Sequence, residues 1–215
     1  MNVSHDTTKE ALNKITAALR KIVKAYKVYE EGMDLSKDQA MYSAEHLQKL
    51  ADQKLEALVA AAQSEADTFD AQIKKAKETE IKNAHIIDFA DPRVHGALET
   101  IQSARMTPRM IDLLVSAVIG EAAALDLIKE AFTEKGVEIP SYMEAWFFDP
   151  DTLFDKLEEK LYAVITDPKN IIRYFEAQEE IELIGKILGI QNVDLNIGVD
   201  ANDYAEQKLR AAMGL

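Results

Sequence analysis

Between Gly32 and Pro92 the chain contains neither glycine nor proline, so nothing in that stretch forces a helix to stop. Ser36 and Gln39 have the spacing of a capping box, with Leu35 placed as a staple. From there one helix is expected to run to Ala84, about 48 residues or ~70 Å at the helical rise. Its apolar seam is Leu47, Ala51, Leu55, Leu58, Ala62, Ala66 and Phe69, extended by Ile73 and Ala76. This is an eleven-residue pattern, which predicts an almost straight or slightly right-handed path.

A shorter helix precedes it. Thr7 and Glu10 form a capping box and Gly32 falls at a C-cap position, which bounds helix 1 at about 8–31. Leu12, Ile15, Leu19, Ile22, Tyr26 and Tyr29 recur at spacings of three and four and make one face. Small residues at Ala11, Ala18 and Ala25 let a neighbour approach closely, while Lys14, Arg20, Lys21, Lys24 and Lys27 point outward. The short link predicts that helix 2 folds back antiparallel over helix 1. At its shorter length, helix 1 covers helix 2 only to about residue 61.

Ala62, Ala66, Phe69, Ile73 and Ala76 are then left without a hairpin partner. Burying side chains such as Phe69 and Ile73 is worth roughly 1.5–3 kcal/mol each, so the stripe is expected to pack on the C-terminal domain or on another chain. The expectation favours another copy of this chain, as a homo-oligomer and most simply a two-fold dimer.

Beyond Ala84 four prolines follow Asp or Thr: Asp91-Pro92, Thr107-Pro108, Asp149-Pro150 and Asp167-Pro168. Asp or Thr accepts from orphan N–H groups at an N-cap, and proline fits the first helical position without wasting a donor. These predict helices at about 92–104, 108–119, 121–135, 142–148, 150–165, 168–188 and 201–213, with Gly136 and Gly189 as C-caps. Residues 192–199 alternate polar and apolar, but a lone strand has no partner, so an extended linker is expected there. The fold class is therefore all-α, a long N-terminal antiparallel helical hairpin followed by a compact multi-helix domain. The expected divisions are 1–84 (hairpin arm), 85–191 (acidic all-α domain) and 192–215 (linker and C-terminal helix).

Charge is uneven along the chain. Residues 1–31 carry six Lys/Arg against four Asp/Glu, whereas residues 91–215 carry twelve against twenty-three. An acidic body disfavours nucleic acid and anionic lipid as partners. No apolar run approaches a membrane span, and the absence of cysteine removes disulfides and thiolate chemistry; a cytoplasmic location is expected. His85, Asp88, Asp91 and His95 match no metal spacing. Asp194, Asn196, Asp200, Asn202 and Glu206 fail as a calcium loop because the glycine and the glutamate are each displaced by one position. Neither a metal nor any other cofactor is expected. Tyr142, Met143, Trp146, Phe147 and Phe148 form the densest aromatic patch, read either as core or as a partner-binding ridge.

The stretches DPRVHGALETIQSARMTPRMIDLLVSA (91–117) and ALDLIKEAFTEKGVE (124–138) resemble helical segments of small accessory or scaffold-type structural proteins of tailed phages. The resemblance implies an assembly role in virion building, in the host cytoplasm or the virion, alongside other structural proteins, with no catalytic residues to carry over. The expected function is a non-enzymatic helical assembly or adaptor protein. The alternative is a regulatory module whose basic helix 1 face contacts nucleic acid or an acidic partner.

Overall fold

A computed structural model describes residues 3–32 and 43–199, together with Ala205. The described residues are all-helical, with no strand. The elements are α1 (Asp6–Glu31), α2 (Ala44–Ser64), α3 (Ala66–Asn83), α4 (Pro92–Ser103), α5 (Pro108–Ser116), α6 (Ala122–Glu134), a 3-10 helix (Ser141–Trp146), α7 (Pro150–Thr166) and α8 (Ile171–Ile187).

Local chemistry explains most of the boundaries. Asp91 accepts from the Arg93 N–H at 2.8 Å, Thr107 from the Met110 N–H at 3.3 Å and Asp149 from the Thr152 N–H at 2.9 Å, each just before a proline. The Asp167-Pro168 pair behaves differently. It forms a turn, and the side chain of Asn170 caps α8 instead by accepting from the Ile172 N–H at 3.1 Å, so α8 starts three residues later than expected. Gly136 and Gly189 adopt φ of 67° and 64° and close α6 and α8. In both, the following N–H reaches back five residues, Val137 to Phe132 at 2.9 Å and Ile190 to Gly185 at 2.8 Å.

The expected single helix 2 is broken at Glu65. The Ser64 hydroxyl donates to the Ala61 carbonyl at 2.8 Å, and the Glu65 N–H bonds to Ala62 and Gln63 instead of Ala61. A serine that back-bonds in this way competes with the helical ladder and bends it. α2 itself starts at the extended N-cap Ser43, whose side chain accepts from the His46 N–H. The capping box at Ser36 and the helix at 201–213 lie outside the described residues, apart from helical Ala205. Thr7 does not cap α1, which begins at Asp6 with the Lys9 N–H donating to the His5 carbonyl at 2.8 Å.

The chain divides into two compact units, each discontinuous in sequence: residues 1–10, 74–155 and 183–193 in the first; 11–73, 156–182 and 194–215 in the second. These limits do not coincide with boundaries at 84 and 191, because pairing between distant segments, which composition along the chain cannot register, defines them. In the first unit, Val94 and Ile101 of α4, Ile111 of α5, and Leu125, Ile128 and Phe132 of α6 close one core. Arg93 clamps it from outside, donating to Asp91 and Glu121 at 2.6 Å and to the Ala117 carbonyl at 3.1 Å.

In the second unit, Leu12, Ile15, Leu19 and Ile22 of α1 are fully buried, and so are Thr16 and Val23 beside them. That stripe is wider than the seam of a two-helix coil. Tyr26 packs its ring 5.8 Å from that of Tyr174, whose hydroxyl donates to the Pro168 carbonyl at 2.6 Å. Residues 194–199 form neither helix nor strand; they turn at Gly198, with φ of 86°, and are held by side chains. Asn13 accepts from the Asp194 N–H at 2.8 Å, and Arg20 donates to Asp194 at 2.8 Å and to the Asn196 carbonyl. The Arg20 guanidinium draws the Asp194 carboxyl below the ordinary aspartate range.

Candidate functional site: a buried carboxylate cluster

In the first unit one carboxylate lies among donors with almost no access to water. Glu80 of α3 is 2% exposed, and a buried carboxylate is tolerated only when its lone pairs are met. His5 places Nδ1 at 3.0 and 2.9 Å from the two Glu80 oxygens. The fully buried Thr8 hydroxyl donates to Glu80 Oε1. Asn83 donates to Glu80 Oε2 at 3.1 Å and to the Ser4 carbonyl at 3.2 Å. The first turn of α1 is thereby tied to the last turns of α3.

The arrangement resembles an orienting carboxylate behind a histidine base, but its far side is structural. Gly120 has φ of 80°, and a Cβ there would come within 3.1 Å of His5 Nε2 and 2.4 Å of the Leu188 carbonyl oxygen. The ring edge thus faces a backbone turn that only glycine fits. The nearest serine in sequence, Ser4, is bonded to Asp6 at 3.0 Å. Beside the cluster lies an open pocket of about 390 Å³ between the first turn of α1 and residues 189–192, where Lys9, Asp6 and Asn192 mix charge and amide. Among the described residues no three His, Cys, Asp or Glu side chains are placed to hold a metal. Of the spacing candidates, Asp88 accepts from the Ala90 N–H, Asp91 serves Arg93, and Asp194 serves Arg20.

The residues singled out as an interaction stripe lie elsewhere. Ala62, Phe69 and Ile73 are 0%, 1% and 4% exposed within the single chain, and Ala66 is half-buried. In the second unit Lys21 donates to Glu65 at 2.9 Å and Gly32 lies against Lys54. Trp146, Phe147 and Phe148 are half-buried against the core of the first unit, with the Lys129 ammonium 5.5 Å above the Phe147 ring. The exposed aromatic of that patch is Tyr142.

A second carboxylate is less well served. Glu180 of α8 has a buried Oε1 with no hydrogen-bond partner, and burial raises its carboxyl above the ordinary glutamate value despite Lys156 and Lys160 nearby. A raised native value means that Glu180 favours folding fully only below its unfolded value, and that this contribution disappears as pH climbs through the native value. Glu180→Gln is expected to match wild type in urea midpoint below about pH 4 and to exceed it at about pH 7. A midpoint difference that does not change with pH would show that Glu180 is not desolvated.

Comparisons with protein-family models, curated proteins and solved structures find no match.

Proposed function

We propose that the chain is a non-enzymatic helical assembly or adaptor protein that acts by protein–protein contact, with α1 running antiparallel to α2 and α3 as a helical hairpin. The hairpin reading is supported by pairs whose numbers fall on one side as they rise on the other. In the first unit these are Ser4 with Asn83, Thr8 with Glu80 and Glu10 with Lys75; in the second, Lys21 with Glu65 and Gly32 with Lys54. The observation that carries the functional reading is how the polar and apolar groups are distributed. The buried carboxylates Glu65 and Glu80 are used to join helices, while Phe89, Leu113 and Tyr142 stand 68%, 64% and 63% exposed. Large exposed apolar and aromatic side chains are typical of contact surfaces. The resemblance to phage structural proteins fits the same role, with assembly during virion building as its setting.

The rival reading, a basic α1 face for nucleic acid, is weakened because Arg20 and Lys21 are occupied by Asp194 and Glu65. The proposed function predicts that the protein in extracts of cells producing it sediments well above one chain, and that Phe89→Asp with Leu113→Asp and Tyr142→Asp returns it toward one chain with unchanged helicity. A wild-type protein that sediments as one chain in extract overturns it.

A further inference from the structure

Two unlike surfaces of this chain differ in form and in charge. The first is a projecting pair. Leu113 on α5 and Tyr142 on the 3-10 helix are among the most exposed large apolar side chains, and the Tyr142 hydroxyl is fixed by donating to Asp112 at 2.8 Å. A fixed aromatic loses little freedom on contact. Its stretch of the chain is acidic on balance: residues 84–155 carry five Lys/Arg against thirteen Asp/Glu, Glu138 and Glu144 are exposed near Tyr142 in sequence, and Arg109 is the exposed cation one turn from Leu113.

The second surface is concave. Ala25, Val28, Tyr29, Lys54, Ala57 and Leu58 enclose an apolar pocket of about 290 Å³. It offers Lys54 and no other charged group, and it lies at the small end of ligand sites, which suits one large side chain better than a metabolite. Lys24 and Lys27 are exposed on the same helix and have no ion-pair partner among the described residues. Lys24 is one turn from Val28, itself 64% exposed. Residues 1–31, which supply one wall, carry six Lys/Arg against four Asp/Glu.

We infer that copies of this chain associate head to tail, with Leu113 and Tyr142 of one entering the α1–α2 pocket of the next and the lysines facing the acidic surroundings of the pair. This rests on the assembly reading above and names its partner as a second copy. Because the two surfaces differ, the contact is heterologous and leaves one of each surface free on every dimer, so association continues into rings or filaments. Opposite charge makes it salt-sensitive.

The test uses purified full-length protein and two variants altered only at exposed positions: Leu113→Asp with Tyr142→Asp, and Lys24→Glu with Val28→Asp. Wild type is expected to gain mass with concentration and to lose it as salt is raised. Each variant alone is expected to sediment as one chain with wild-type circular dichroism. An equal mixture of the two is expected to form a two-chain species and stop there, because each supplies the one surface the other lacks. Association by either variant alone at wild-type strength overturns the inference, as does a mixture that stays at one chain while wild type associates. A pure wild type that remains one chain also overturns it. That last result leaves the assembly reading standing if the same protein sediments as a larger complex in extract.

Discussion

Replacing Glu80 by alanine is expected to cost about 3 kcal/mol of unfolding free energy, because it strands buried donors rather than removing one contact. His5, Thr8 and Asn83 all converge on that carboxylate, and Thr8 has no water to turn to. Against the 5–15 kcal/mol typical of a whole domain, the loss would be plain in a urea midpoint, and the slope should stay constant if only stability has changed. Glu80→Gln keeps one acceptor oxygen and is expected to lose about half as much. An alanine variant with the wild-type midpoint would show that the cluster contributes nothing to the fold and would reopen the pocket beside it as a chemical site.

The second large effect concerns Phe69. At 1% exposure it is among the largest fully buried side chains, so Phe69→Ala should lower stability by about 3–5 kcal/mol through lost burial and the cavity left behind. The same substitution distinguishes a core position from an interface. A core position loses stability and leaves the mass of the folded protein unchanged; an interface position keeps stability and lowers the mass. The expected result is the first, measured by denaturant unfolding alongside sedimentation. A stable Phe69→Ala protein with reduced mass would restore the stripe as a contact between copies.

Helix starts were readable at three of the four places where a capping side chain stood next to a proline, Asp91, Thr107 and Asp149. Asp167 misled because Asn170, three residues on, is an equally good cap. The candidate site was half-legible. Counting on from Leu58, Ala62 and Phe69, both Glu65 and Glu80 fall on the apolar register, and counting back from Leu12 along α1 reaches Thr8 and His5. A search for apolar periodicity passes over these positions, although a polar residue on a core register is the signal of a buried polar pair. Which donor meets which acid was not legible, since the partners lie 72 and 75 residues apart. Their matching depends on how far α1 reaches along its neighbour.

The order in which a ribosome delivers this chain bears on the clamp at Arg20. Its partners Asp194 and Asn196 are made 174 and 176 residues after it, which at roughly 5–20 residues per second is on the order of ten seconds or more of synthesis. For most of that interval the second unit lacks its residues 156–182 and the segment at 194–199, so side chains that they meet, Tyr26 against Tyr174 among them, must find interim cover. The nascent protein is therefore expected to be a client of chaperones that shield apolar helices, and shortening it from the C-terminal side should prolong that dependence rather than yield a smaller folded unit.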